Sequence, residues 1–238
     1  MPGMASYSIH EHRFASPAAL SEALSGAIAS ALQSGLAAGR GASLAVPGGH
    51  TPVPLFELLS RVPLDWSNVW ITLTDERWVD VASQESNEQL ARTHLLRHAA
   101  ASAQFVGLKN QSPDPRAGAV ASWSSVAAVP RPFDFMLLGM GDDGHCASLF
   151  PDSPGLAAAL DLSQPPGCVA MTAPVAPHAR VSLNLRALLD SRQIALLIVG
   201  AAKWATLERA RVHGSIQEMP VRALLRQQNV PVSVYWSP

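Results

Sequence analysis

The stretch Leu137–Ser153, LLGMGDDGHCASLFPDS, gathers side chains that could do chemistry. Gly139, Gly141 and Gly144 satisfy the G-x-G-x-x-G spacing, in which glycines let a dinucleotide's pyrophosphate approach a helix N-terminus. Asp142 and Asp143, however, stand where that pyrophosphate would lie, and Leu-Phe-Pro soon follows in place of a regular helix. Two carboxylates repel such a cofactor. His145 offers a different chemistry, since an imidazole titrates near neutral pH and can take a proton as a general base. Asp143, two residues earlier, could hydrogen-bond to the ring and orient it.

Three further groups follow strands that the sequence predicts. In AVPGGHTP (45–52), Gly48 and Gly49 admit an anion close to the backbone, ahead of His50, Thr51 and a helix whose free amides favour phosphate. In ITLTDERWVD (71–80), Thr74, Asp75, Glu76 and Arg77 read as an exposed charged cluster able to orient hydroxyls, with Arg77 offering a planar fork for oxygens. Arg180 in APHARVSLNL and Lys203 in IVGAAKW could meet a phosphate held by the glycine loop. No G-x-S-x-G elbow and no G-x-x-x-x-G-K-[ST] loop occurs. Cys146 directly follows His145, so the two side chains diverge and make a poor nucleophile pair. His94 and His98 lie one helical turn apart without a third metal ligand, and read as an exposed helix face.

Positioning these groups requires strands that end together. Short apolar runs predict strands over Ala42–Val46, Val69–Leu73, Phe133–Leu138, Val169–Thr172, Ile194–Val199 and Val232–Tyr235. Helical periodicity predicts helices over Pro17–Ala38, Val53–Ser60, Glu88–His98, Arg116–Ala127, Ala201–His213 and Val221–Gln227. The first carries Leu20, Leu24, Ile28 and Leu32 four apart, a stripe that can cover one face of a sheet. Such alternation predicts an α/β fold: a Rossmann-like, mainly parallel sheet flanked by helices on both faces, in one domain over residues 1–238. Ligands of such sheets collect at the carboxyl ends of the strands.

Composition narrows the partners. The chain is 48% hydrophobic and 15% charged, which suits a compact globular protein rather than a disordered one. Seventeen basic against eighteen acidic residues give a net charge of −1, so no global field draws in nucleic acid or an anionic membrane. The apolar run Ile194–Gly200 is too short to span a bilayer, and MPGMASYSIHEHRF lacks the apolar centre of a secretory signal. With only Cys146 and Cys168, no disulfide framework is possible. A cytoplasmic protein, monomeric or a small homo-oligomer, is expected.

Taken together, AVPGGHTP, LTDERWVD with ESN at 85–87, LLGMGDDGHCASLFP, ARVSLNL and VGAAKW resemble the 6-phosphogluconolactonase family, related to the glucosamine-6-phosphate isomerases and deaminases. The resemblance runs over residues 45–203. It implies hydrolysis of the δ-lactone of 6-phosphogluconate, the second step of the oxidative pentose phosphate pathway, on a small sugar phosphate and with no organic or metal cofactor. In this expectation the 6-phosphate lies against Gly48, Gly49, His50 and Thr51 with Arg180 and Lys203. His145, oriented by Asp143, activates water; Arg77 or amides of the 139–144 loop receive the oxyanion; Asp75 and Glu76 orient sugar hydroxyls or Arg77. The related deaminases continue with Phe-Asn-Glu-Pro where this chain has Ser148-Leu149-Phe150-Pro151, which favours the lactonase. Two positions depart from the pattern: His50 replaces the usual Ser, and Cys146 replaces a smaller Thr or Ala. A deaminase or isomerase activity, and a sugar-phosphate sensor without turnover, are the alternatives.

Overall fold

A computed structural model describes residues 9–173 and 178–238. Residues 1–8, part of the stretch read for a secretory signal, and Ala176-Pro177 of the APHARVSLNL segment lie outside the described residues. The strands are β1 (His10–Arg13), β2 (Ala42–Val46), β3 (Val69–Leu73), β4 (Asp75–Arg77), β5 (Gln104–Val106), β6 (Phe135–Leu138), β7 (Cys168–Thr172), β8 (Ala179–Leu183), β9 (Ile194–Val199) and β10 (Val232–Ser237). The helices are α1 (Pro17–Ala37), α2 (Val53–Leu59), α3 (Asn87–His94), α4 (Pro115–Val126), α5 (Leu156–Leu160), α6 (Leu185–Leu188), α7 (Ala201–Arg211) and α8 (Val221–Arg226).

Seven strands pair in the order β1-β10-β9-β6-β2-β3-β5, all parallel. β2 and β6 are buried along their whole length, as expected of unbroken apolar runs covered on both faces. α1 starts at Ser16, whose hydroxyl accepts from the Ala19 amide, and its Leu20, Leu24, Ile28 and Leu32 stripe is fully buried. These residues belong to a core that runs through β2, β3, β6 and β9 as far as Tyr235.

Chain order fixes where a site can form. From β2 the sheet grows through β3 to β5 on one side; the chain then returns to place β6 on the other side of β2, and continues through β9 and β10. The connections after β2 and β6 therefore leave in opposite directions and open a crevice at the carboxyl end of the sheet.

Several sequence expectations are corrected. Val169–Thr172 does form a strand, β7, but in a separate antiparallel sheet ordered β4-β8-β7. β1, β4, β5, β8, α5 and α6 were not predicted. The strand predicted from Phe133 begins at Phe135, with Phe133 making only an isolated parallel bridge to Ser191. The helix predicted to His98 stops at His94: Arg97 is extended and His98 has a φ of 50°, so the two histidines do not share a helix face. His94 Nδ1 instead lies 3.1 Å from Glu57.

At the amino-terminal end of the sheet, Asp134 is buried and draws in three groups. Arg40 bonds both carboxylate oxygens, the Ser43 amide donates at 2.9 Å, and Arg192 Nε lies at 3.5 Å. A hollow of about 310 Å³ opens beside them.

Candidate active site

After β6 the chain folds back on itself: the Gly144 amide donates to the Gly141 carbonyl at 3.1 Å, and the Gly141 amide to the His145 carbonyl at 2.9 Å. Inside this turn one oxygen of Asp143 accepts from the His145 amide at 3.0 Å and from its Nδ1 at 2.6 Å. Nδ1 thus carries the proton, and Nε2 is the basic nitrogen. Burial pushes the Asp143 carboxyl up, but the ring, amide and charge of His145 outweigh it and hold the group below the usual carboxylate range. A side chain at Gly141 would overlap the imidazole and approach Asp143, so the pair requires glycine there. The other side of the ring meets Phe150, with centroids 4.5 Å apart.

The TDER segment differs from expectation, because Thr74, Asp75 and Glu76 are buried rather than exposed. Glu76 is fully buried and does not line the cleft. Its carboxylate accepts from the amides of Arg77, Asn87 and Glu88 and from the Ser86 hydroxyl, which closes the start of α3 against β4. Burial raises its pKa, although these donors pull in the opposite direction. Asn87, held in this way, donates its side-chain NH₂ to the Asp75 carbonyl at 2.8 Å and presses on Gly48, where any Cβ would overlap it. Asp75 in turn accepts the Ser148 hydroxyl and, at 3.2 Å, that of Thr74.

Antiparallel pairing of β4 with β8 sets Arg77 opposite Arg180. Arg77 donates to the Glu85 carbonyl at 2.7 Å, with the Glu85 carboxylate at 3.4 Å. Arg180 lies 4.0 Å from Asp75, its guanidinium near the Phe150 ring. Burial, followed by the charge of Arg77, lowers the Arg180 pKa. The Nε atoms of both arginines are buried without a hydrogen-bond partner among the described residues. Two adjacent cations with unused donors attract an anion.

These groups surround a cleft of about 270 Å³. Gly48, Gly49 and Thr51 form one wall, Asp75, Arg77 and Arg180 another, and His145 and Lys203 face them. Lys203, near the start of α7, pairs with Asp142 at 2.9 Å. Three predicted residues stand apart: Asp143 behind His145, Glu76 beneath the wall, and His50, exposed and off the lining. Asn87, Ala147 and Met140 line the cleft without having been predicted. For Asn87 the sequence signalled only the helix start, Ser86-Asn87-Glu88-Gln89 having the S-x-x-Q spacing of a cap in which the Ser86 hydroxyl accepts from the Gln89 amide. Cys146 is no nucleophile here: burial pushes its thiol up to about 12, and the charges of Asp75 and Asp143 add to the shift.

Comparisons with known proteins identify the family. Residues 15–236 match the family model described as glucosamine-6-phosphate isomerases/6-phosphogluconolactonase. A 6-phosphogluconolactonase of Pseudomonas putida is 44% identical over 197 residues, covering 83% of this chain and 80% of that protein. One of Rhizobium meliloti (strain 1021) is 40% identical over 231 residues, covering 97% and 100%. The crystal structure of a 6-phosphogluconolactonase from Shewanella baltica OS155 superposes with a TM-score of 0.94 at 45% identity, covering 99% of this chain and 100% of that one. The match extends from α1 to β10 and includes every segment of the cleft, so the chain belongs to the glucosamine-6-phosphate isomerase/6-phosphogluconolactonase family.

Proposed function

We propose that this chain hydrolyses 6-phospho-D-glucono-1,5-lactone to 6-phospho-D-gluconate. The observation that carries the reading is the His145–Asp143 pair facing a cleft on which Arg77, Arg180 and Lys203 converge, in a chain akin over its whole length to named 6-phosphogluconolactonases. The phosphoryl group lies between the Gly48–Thr51 wall and the cations Arg180 and Lys203, and its binding holds the ring near His145. Nε2 of His145 takes a proton from water as the water attacks the lactone carbonyl, and Asp143 stabilises the imidazolium. That proton then passes to the ring oxygen as its bond to the carbonyl carbon breaks, which leaves a free hydroxyl and a carboxylic acid that releases its proton to solvent.

Arg77 is assigned to the oxyanion. Two of the loop amides, those of Gly141 and Gly144, already donate within the loop, whereas the Arg77 side chain lines the cleft. Glu76 acts through the Arg77 backbone and α3 rather than on the sugar. The two cysteines are free, in keeping with a cytoplasmic site of action, and no helix among the described residues is long and apolar enough to cross a membrane.

The test is proton release from freshly generated lactone near neutral pH, with ammonia release from glucosamine 6-phosphate followed in parallel. His145→Ala should lower the enzymatic rate by about 10²- to 10⁴-fold after correction for spontaneous hydrolysis. An unchanged rate removes the general base. Ammonia release without lactone hydrolysis makes the chain a deaminase, and silence in both assays leaves a sugar-phosphate binder.

A further inference from the structure

The three cations of the cleft are countered in different ways. Arg180 faces Asp75, a buried carboxylate already held by Ser148 and Thr74, so that anion cannot leave. Arg77 is fixed to the Glu85 carbonyl whatever the Glu85 carboxylate does. Lys203 is paired at 2.9 Å with Asp142, whose side chain is 78% exposed and makes no other ion pair or hydrogen bond among the described residues. The Asp142 backbone, by contrast, is anchored: its carbonyl accepts from Thr206 Oγ1 at 3.2 Å and from Arg209 at 3.0 Å, both on α7, the helix that also carries Lys203.

We infer that Asp142 sets the affinity of the cleft, as a built-in carboxylate that occupies Lys203 until a substrate's phosphoryl group displaces it. The inference rests on the proposal that Lys203 receives the phosphoryl group. A carboxylate attached to a fixed backbone needs only a side-chain rotation to release the lysine, and an exposed one is rehydrated as it leaves. The loop that bears His145 and Asp143 therefore need not move. A phosphoryl dianion offers more charge and more acceptor oxygens than one carboxylate and prevails in this exchange. Every ligand that reaches Lys203 must give up the same ion pair, so Asp142 competes with the phosphoryl group for the lysine and lowers its affinity.

The experiment measures 6-phosphogluconate binding by calorimetry, without turnover, in wild type, Asp142→Asn, Lys203→Met and the double variant. Exposed ion pairs are worth about 0.2–1 kcal/mol, so releasing Lys203 should tighten binding in Asp142→Asn by about 1.5- to 5-fold. The gain should shrink as salt is added and vanish in the Lys203→Met background. Asp142→Glu, which keeps the carboxylate, should bind like the wild type. No gain in Asp142→Asn while Lys203→Met weakens binding overturns the inference and leaves the phosphoryl assignment standing. A gain that persists without Lys203 also overturns it, since the aspartate would then act through the general field of the cleft. Unchanged binding in Lys203→Met overturns the assignment of Lys203 and the inference together.

Discussion

The two ends of the parallel sheet both carry a buried aspartate among arginines beside an open hollow, and they differ in how the charges are used. At the amino-terminal end Asp134 takes both guanidinium nitrogens of Arg40, the Ser43 amide and the approach of Arg192. At the carboxyl end Asp75 is turned toward Ser148 and Thr74, while Arg77 and Arg180 keep unpartnered Nε atoms. Volume does not separate the ends: about 310 Å³ opens beside Asp134 and about 270 Å³ at the cleft. What separates them is that at the carboxyl end three cations, Arg77, Arg180 and Lys203, line one cleft together with a histidine whose Nδ1 is bonded to Asp143. Charged residues at the first end fasten the fold; those at the second are the ones proposed to meet the substrate.

Substitutions can sharpen that contrast or break it. Short of replacing His145 itself, the largest effect is expected from Gly141→Ala, whose methyl group would displace the His145 ring. A shift of about 1 Å costs about 10²-fold, so kcat should fall by that order while the thermal midpoint moves little. Retention of kcat would mean that the His145–Asp143 geometry is not what drives the reaction. Arg180→Ala removes a charged donor from the cleft, and at about 1.5–3 kcal/mol per charge-assisted hydrogen bond KM should rise about 10- to 10²-fold. A steady-state comparison in which KM stayed put would place the phosphoryl group elsewhere. The smallest effect on activity belongs to Asp134→Ala. It leaves the Ser43 amide and part of Arg40 unsatisfied, and chemical denaturation should register a loss of roughly 1–3 kcal/mol with kcat/KM unchanged. A fall in kcat/KM of the folded protein would end the division of labour between the two ends.

Where side chains declare the environment, the sequence was readable. Ala42–Val46, Val69–Leu73 and Ile194–Val199 are strands over those very residues, since runs buried on both faces need no alternation. β4 was missed because Asp-Glu-Arg has little strand propensity of its own; its extended form comes from β8 and from the clasp of Glu76 on α3. The same cause hid the burial of Glu76. Three charged residues after a strand read as solvated, and only the amides of residues 87 and 88, brought back by the turn before α3, reveal what the carboxylate is for. His145 and Asp143 could be singled out because they are two residues apart in one loop. The opposition of Arg77 and Arg180 is a product of sheet pairing, and no local spacing announces it.

The bond from Ser148 to Asp75 has a kinetic corollary. It joins residues 73 apart, and the contact of Arg209 with the Asp142 carbonyl joins residues 67 apart. Contacts of such sequence separation form only after large loops have closed, and they belong to the slow, non-local part of folding. The sheet itself is closed by pairings of greater separation still, Leu44 with Phe135 and His10 with Ser233, so a refolding chain would regain turnover only as the sheet completes, and recovered activity would report closure of the whole sheet.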